Sequence, residues 1–163
     1  MPKDAASTRA TILAAAVQTL QRGGVEGFTL DAVARRAGVA KGLILYHYAS
    51  RARLLRAAAS QIATARDAAL QGALGGAVGA DGLDACWEEL RRQAEDGTGR
   101  AWLSLCAAGL IDRSARNAEL EEAARESILD GATAALVSGV SLEDARDAYD
   151  ALWLALLEVT TKN

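Results

Sequence analysis

Apolar residues recur every three or four positions along most of this chain, a spacing that places them on one face of an α-helix. The first segment shows the pattern with Ile12, Ala16 and Leu20, and a later one repeats it with Leu54 and Ile62. We therefore predict eight helices, which run from Ser7 to the glycines at 23 and 24, from Thr29 to Gly38, and over about 40–46, 51–71, 83–96, 101–111, 118–137 and 142–160.

The interruptions of this pattern predict where the helices begin and end. Ser7 and Thr29 have side chains that accept a hydrogen bond from the first turn of a helix, so we expect both to be N-caps. Gly72–Gly82 has five glycines in eleven residues and is the expected loop or hinge. The segment 101–111 is apolar nearly all round, which predicts a helix buried in the middle of the fold.

Composition supports an all-α fold. The 163 residues include 38 Ala and 22 Leu, against 8 Val, 5 Ile and a single Pro. Ala and Leu favour helices, whereas β-branched residues favour strands. Composition therefore favours an all-α domain over a β-sandwich, a doubly wound sheet or a disordered chain.

The net charge of −3 conceals a strong asymmetry along the chain. Residues 1–60 contain nine Lys and Arg against three Asp and Glu, a net charge of +6, and the remaining residues have a net charge of −9. Such asymmetry indicates that the N-terminal part meets a polyanion. Cys86 and Cys106 show no metal spacing, and no apolar run predicts a signal peptide or membrane span, so we expect free thiols, a cytoplasmic protein and no membrane partner.

The segment 28–55 has the pattern of a helix-turn-helix. Two helices that cross closely need a small residue, which Ala34 supplies, and a turn residue that tolerates positive φ, which Gly38 supplies. Val33, Val39 and Ile44 fall where apolar side chains would fix both helices on a third. The outer face of the second helix then carries Ala40, Lys41, Gly42, Leu43, Tyr46 and His47.

The stretch GVAKGLILYHYASRARLL resembles the tetracycline-repressor (TetR) family pattern G-V-S-x-G-T-L-Y-x-H-F-x-S-K-x-x-L-L. The identical positions are Gly38, Val39, Gly42, His47, Ser50, Leu54 and Leu55. Close replacements occur at Ala40, Ile44, Tyr48 and Arg51, and Thr29, Val33 and Ala34 fit the preceding helix. The specific resemblance covers about residues 8–56.

The resemblance implies a ligand-responsive transcription regulator, a repressor that binds a near-palindromic operator on double-stranded DNA as a homodimer. It implies a helix-turn-helix domain at 1–50 and a helical ligand-binding and dimerisation domain at 51–163, connected by the fourth helix. Carried over to this chain, the DNA-binding residues are Thr29, Ala40, Lys41, Gly42, Leu43, Tyr46, His47 and Arg51. Thr29 and Arg51 would hold phosphates, Lys41 would face the groove, Tyr46 and His47 would contact phosphate or base edges, and Gly42 would let the backbone approach.

Two departures from the family pattern affect affinity. Leu43 stands where Thr is common and Leu45 where Tyr is common, so two hydroxyl groups that could reach a phosphate are absent. Ala40 also lacks the usual Ser hydroxyl. We expect operator binding that is weaker, or more dependent on thymine methyl groups, than a Thr and Tyr version would show.

The C-terminal half offers a candidate ligand pocket and a candidate dimer interface. Large or apolar side chains at compatible spacings, which are Trp87, Leu90, Trp102, Cys106, Leu110 and Trp153, form the candidate pocket. No Arg or Lys has a buried pattern, which favours a small apolar effector that is neutral or cationic. Apolar stripes on the last two helices would make half of a four-helix dimer interface, with Ile128, Gly131, Ala135, Leu152, Leu156 and Val159.

An enzyme is the competing class, and the sequence does not favour it. The chain has one His, no Cys–His pair, no nucleophile elbow, no phosphate-binding loop and no metal cluster, so we expect neither catalysis nor a cofactor or metal. A second alternative is a helical relative of the family that has weak or lost DNA binding and acts through protein or ligand contacts. The two leucines on the predicted recognition helix keep that alternative open.

Overall fold

The computed structural model describes residues 2–76, 80–111 and 120–160, and its regular structure there is entirely helical. Eight helices lie within the described residues, which confirms the predicted all-α class. They are α1 (Pro2–Gly23), α2 (Leu30–Ala37), α3 (Lys41–Tyr48), α4 (Arg51–Gly75), α5 (Ala80–Asp96), α6 (Thr98–Ala107), α7 (Leu120–Ser138) and α8 (Leu142–Thr160).

The chain divides into two compact units. Unit 1 consists of Met1–Ala68 together with Arg100–Ile111, and unit 2 consists of Ala69–Gly99 together with Asp112–Asn163. Most of α4 and all but the first two residues of α6 therefore belong to the N-terminal unit. The predicted boundary between the two functional domains, at 50/51, differs from the boundaries between these two compact units.

The core of unit 1 fixes the short helices α2 and α3 on α1 and α4. Ile12 and Leu20 of α1, Val33 of α2, Ile44 of α3 and Leu54 of α4 are all inaccessible to solvent or nearly so. These residues belong to one hydrophobic cluster, which Leu105 of α6 also joins. Of the three positions that the helix-turn-helix pattern predicts as internal, Val33 and Ile44 are buried, and Val39 is partly buried and packs against the cluster.

The core of unit 2 is built around aromatic side chains of α5 and α8. The rings of Trp87 and Tyr149 lie 5.3 Å apart between centroids, and those of Tyr149 and Trp153 lie 6.2 Å apart. The Tyr149 hydroxyl donates a hydrogen bond of 3.1 Å to the backbone carbonyl of Leu83, so its polar end is satisfied inside the core. Burial raises the pKa of Tyr149 far above its usual value.

Three local predictions were wrong. Ser7 is not an N-cap but lies inside α1, where its carbonyl accepts a hydrogen bond from the Thr11 hydroxyl, because Pro2 is tolerated in the first turn of a helix. The glycine-rich loop is shorter than 72–82, because α4 continues to Gly75 and Leu74 packs on the core of unit 2. The sixth helix covers 98–107 instead of 101–111 and is buried along one stripe only, with Ala107 and Ala108 exposed.

Candidate nucleic-acid interface

The two ends of α2 are fixed by two residues that the sequence singles out. Thr29 caps α2, and its hydroxyl oxygen accepts a hydrogen bond of 3.1 Å from the backbone N–H of Ala32. Gly38 ends α2 in the left-handed conformation, with φ 67° and ψ 31°. A residue with a β-carbon is strained there, so glycine makes the sharp turn possible. The structure therefore confirms Thr29 as an N-cap and Gly38 as the turn residue. The Thr29 side chain is exposed at the start of α2.

The ends of α3 differ in how they are stabilised. Ala40 has the extended backbone of an N-cap, with φ −69° and ψ 143°, but offers no side-chain acceptor to the first turn. At the other end, Ala49 has a positive φ of 60°, which is unusual for a residue with a side chain. Ser50 then caps α4 by accepting a hydrogen bond of 3.2 Å from the backbone N–H of Arg53.

Contacts between α1 and α3 hold the C-terminal end of α3 in place. The Arg9 guanidinium donates a hydrogen bond of 2.6 Å to the backbone carbonyl of His47 and lies 4.2 Å above the centre of the Tyr48 ring. The Tyr48 hydroxyl donates in return to the backbone carbonyl of Arg9, at 3.0 Å. Burial raises the pKa of Tyr48, and the charge of Arg9 partly opposes that shift. We call these contacts the Arg9–Tyr48 clamp. The sequence pattern did not indicate that Arg9 takes part in them.

Arg51 has partners inside unit 1. Its guanidinium donates hydrogen bonds to the backbone carbonyls of Phe28, at 2.8 Å, and Val25, at 3.4 Å, and lies over the Phe28 ring. These bonds fix the start of α4 to the segment that precedes α2. The predicted contact of Arg51 with a phosphate stays a prediction. In a complex with DNA, the guanidinium would have to bind the phosphate as well as these two carbonyls.

The outward face of α3 is mainly apolar. Tyr46 is 82% exposed, and Leu43 and Leu45 are 37% and 41% exposed. At 100° per residue, Gly42 and Tyr46 lie at the centre of this face, opposite the buried Ile44, with Leu43 and Leu45 on its two flanks. No atom outside the local backbone lies within 4 Å of a β-carbon built on Gly42, so the surface beside Tyr46 is open.

Charged and polar groups surround this face. Lys41, in the first turn of α3, forms an exposed ion pair of 3.0 Å with Asp31 in the first turn of α2, a contact that sequence reasoning did not identify. The half-buried His47 ring packs edge-on against the Tyr46 ring. Arg35, Arg53 and Arg56 are exposed on α2 and α4. Seven of the eight predicted DNA-binding residues are exposed and His47 is half-buried, while the guanidinium of Arg51 is bonded to the two carbonyls.

The six candidate pocket residues divide between the two units. Trp87, Leu90 and Trp153 are buried in the core of unit 2. Trp102 is buried in unit 1, whereas Cys106 and Leu110 are partly buried there. They do not form one cluster within either unit, so a pocket made of all six stays a prediction.

One arginine is buried although its sequence pattern does not indicate burial. Arg66 of α4 is only 3% exposed, and its guanidinium lies 4.9 Å from the centre of the Trp102 ring. The expectation that no Arg has a buried position was therefore wrong. The residues beside it in the sequence, Ala65 and Asp67, gave no signal of burial.

Unit 2 contains a groove of about 410 Å³. Its lining is mostly apolar, with the edge of the buried Trp153 and one cation, and consists of Leu74, Ala80, Gly82, Leu83, Arg125, Trp153, Leu154 and Leu157. Of the candidate pocket residues, Trp153 alone lines it. The volume falls in the range of small-molecule sites.

The candidate dimer residues differ in exposure. Leu152 and Gly131 are exposed, Ala135 and Leu156 are partly buried, and Ile128 lies in the core of unit 2. The backbone of Val159 is in α8, and its side chain lies outside the described part of the structure. Five large apolar side chains are also exposed at or just before α8, and we call them the α8 apolar set: Val140, Leu142, Leu152, Leu154 and Leu157.

Two further features bear on the class of protein. Within the described residues, no group of three His, Cys, Asp or Glu side chains is placed to hold a metal ion. The helices of the described part are each too short or too polar to cross a lipid bilayer.

Comparison with known proteins supports the geometric description. Residues 12–58 match the family model for bacterial regulatory proteins of the tetR family. A solved structure from Rhodococcus sp., described as a TetR-family transcriptional regulator, has 23% sequence identity and a TM-score of 0.57, over 94% of this chain and 98% of that one. A second, from Vibrio parahaemolyticus and described in the same terms, has 21% identity and a TM-score of 0.52, over 91% and 97%. These likenesses show a shared fold, and no curated protein sequence matches the chain.

Proposed function

We propose that this chain is a transcription regulator that binds double-stranded DNA through α3, because residues 12–58 match the family model for bacterial regulatory proteins of the tetR family. The observation that carries the proposal is the exposed face of α3, which follows a tight turn at Gly38 and lies in a segment of net charge +6. A helix in this arrangement fits the major groove, which is wide enough to admit it.

The surrounding groups divide into those that would position the protein and those that would contact bases. Thr29 stands at the start of α2, where its backbone and the helix N-terminus favour a phosphate. Lys41 would exchange its exposed ion pair with Asp31 for a phosphate or a base edge, because such exposed pairs contribute at most about 1 kcal/mol. Tyr46 and Leu43 would face the bases, and Ala40 and Gly42 would allow close approach of the helix.

Two groups would act mainly through the positions they hold. Arg9 donates a hydrogen bond to the backbone carbonyl of His47. The His47 ring packs on the Tyr46 ring and would orient the Tyr46 ring toward the DNA. Arg51 would share its guanidinium between the Phe28 carbonyl and a phosphate.

We also propose that the regulator is a homodimer, with a second copy covering the α8 apolar set. Five large apolar side chains are exposed there, and exposed apolar surface marks protein interfaces. Two-fold symmetry would give a near-palindromic operator whose half-sites are centred roughly 34–36 Å apart. Leu152 belongs both to this set and to the predicted interface.

Release from DNA by a small apolar effector completes the proposed function as a repressor. The groove of unit 2 is the candidate site, because its walls are largely apolar and its volume suits a small molecule. An effector that binds better to a form with mis-spaced α3 helices would lower the affinity for DNA by shifting the population.

The test is a selection of bound sequences from a library of randomised DNA duplexes, followed by measurement of binding in a salt series. We expect an enriched palindromic motif, a complex of two chains per duplex, and affinity that falls steeply as salt rises. Tyr46→Ala should remove the enrichment, and Arg22→Ala, at an exposed arginine at the end of α1, should retain it. If no sequence is enriched at low salt, the alternative of a family relative without DNA binding replaces the proposal.

A further inference from the structure

The exposed large apolar side chains of unit 1 are concentrated on one surface. Among its described residues they are Leu43, Leu45 and Tyr46, and all three belong to α3. Isolated exposed leucines are ordinary, but two leucines and a tyrosine on a helix of eight residues form an apolar patch. Folding does not require them, because Ile44 and Tyr48 already fix the opposite side of α3 in the core.

The same face has few groups that can read bases by hydrogen bonding. Lys41 is the one full positive charge of α3, and it is paired with Asp31 at 3.0 Å. Leucine has no donor or acceptor, so neither flank of the face can recognise guanine or adenine by the paired hydrogen bonds that those bases offer. At the two flanks, base recognition must therefore rely on apolar contact, while the Tyr46 hydroxyl at the centre can still donate or accept a hydrogen bond.

In the major groove, the apolar group that distinguishes one base from the others is the C5 methyl of thymine. We infer that α3 reads thymine methyl groups, with Leu43 and Leu45 each packed against one and Tyr46 between them. This inference rests on the proposed function and specifies the chemistry of the half-site. The positive charge of residues 1–60 selects DNA as the occupant of the patch over an apolar protein surface.

The geometry supports two contacts at separate positions. Leu43 and Leu45 are two residues apart and about 160° apart around the axis of α3, measured across the outward face. Their side chains therefore diverge from the central line that Gly42 and Tyr46 define. The open surface at Gly42 lets the backbone approach the bases, as short leucine side chains require.

The experiment removes single methyl groups from the DNA without changing base pairing. Each thymine of the selected duplex is replaced in turn by uracil, which lacks only the C5 methyl group. We expect at least two thymines per half-site whose replacement weakens binding about three- to fivefold each, the value of one buried methylene-sized group. Leu43→Ala should abolish the effect at one thymine, and Leu45→Ala at the other.

Lys41→Ala is the matched control, because it weakens the binding of thymine and uracil duplexes by the same factor. Since Leu43 and Leu45 are exposed, their replacement leaves the core unchanged, and circular dichroism spectra verify that the variants are folded. If a motif is selected but uracil binds as well as thymine everywhere, the inference is overturned and the proposed function stands. If no duplex is selected at all, both fail.

Discussion

The Arg9–Tyr48 clamp predicts a measurable loss of stability in Arg9→Ala. The substitution removes the 2.6 Å hydrogen bond to the His47 carbonyl and the cation–π contact at 4.2 Å from the Tyr48 ring centre. Arg9 is exposed, so water replaces part of the hydrogen bond, which leaves a net contribution of about 1 kcal/mol. An exposed cation–π contact adds about 0.5–1 kcal/mol. We expect the free energy of unfolding to fall by about 1.5–2 kcal/mol.

Thermal unfolding followed by circular dichroism measures this change. At about 2–4 °C per kcal/mol for a chain of this size, the melting temperature should fall by about 3–8 °C. Arg22→Ala removes the same charge from the last turn of α1, where the arginine is exposed, and should change the melting temperature little. Equal melting temperatures for the two variants would show that the loss reflects charge or helix propensity alone and that the clamp contributes no stability.

Three further substitutions test other parts of the structure. Ala40→Ser supplies the missing N-cap acceptor of α3 and should raise stability by about 1 kcal/mol, measured by urea unfolding. Arg51→Lys cannot reproduce the contacts with the Phe28 and Val25 carbonyls and should lower stability by about 1 kcal/mol, while the salt dependence of DNA binding stays unchanged. Because burial raises the pKa of Tyr149 in the folded state, the protonated side chain contributes stability that is fully present below about pH 10 and declines as the pH rises further. The Tyr149→Phe variant should therefore lose less stability than the wild type at alkaline pH.

Each of these has a control in the same part of the chain. Ala65→Ser, at an exposed position within α4, should destabilise slightly, so a gain there equal to that of Ala40→Ser would contradict the capping argument. Arg56→Lys, at an exposed arginine of α4, should leave stability unchanged. Tyr46→Phe should keep the alkaline profile of the wild type, because the Tyr46 side chain is exposed.

Local signals in the sequence predicted the helix-turn-helix correctly. Thr29 and Gly38 act through their own backbone and nearest neighbours, so their roles are readable from residue type and spacing. Ile44 follows from the requirement that one side of a short helix be buried. These are the features that carry the candidate site.

Features that depend on distant parts of the chain were not predictable. Arg51 donates a hydrogen bond to a carbonyl 23 residues earlier in the chain, and Arg9 donates one to a carbonyl 38 residues later. Contacts at such separations produce no periodic pattern in the sequence. The helix α4 continues past Gly72 because Leu74 packs against the core of unit 2. This packing outweighs the low helix propensity of glycine. The burial of Ile128 likewise follows from packing in that core, which an apolar stripe alone cannot distinguish from an interface.

Sequence-specific binding is measured by comparing two dissociation constants at physiological salt, that of the selected duplex and that of a shuffled duplex of the same composition. Sequence-specific recognition by α3 predicts at least about a 10³-fold preference for the selected duplex, most of which Tyr46→Ala should remove. Equal dissociation constants for the two duplexes would show that the positive charge of residues 1–60 attracts DNA without reading it, and would contradict the account.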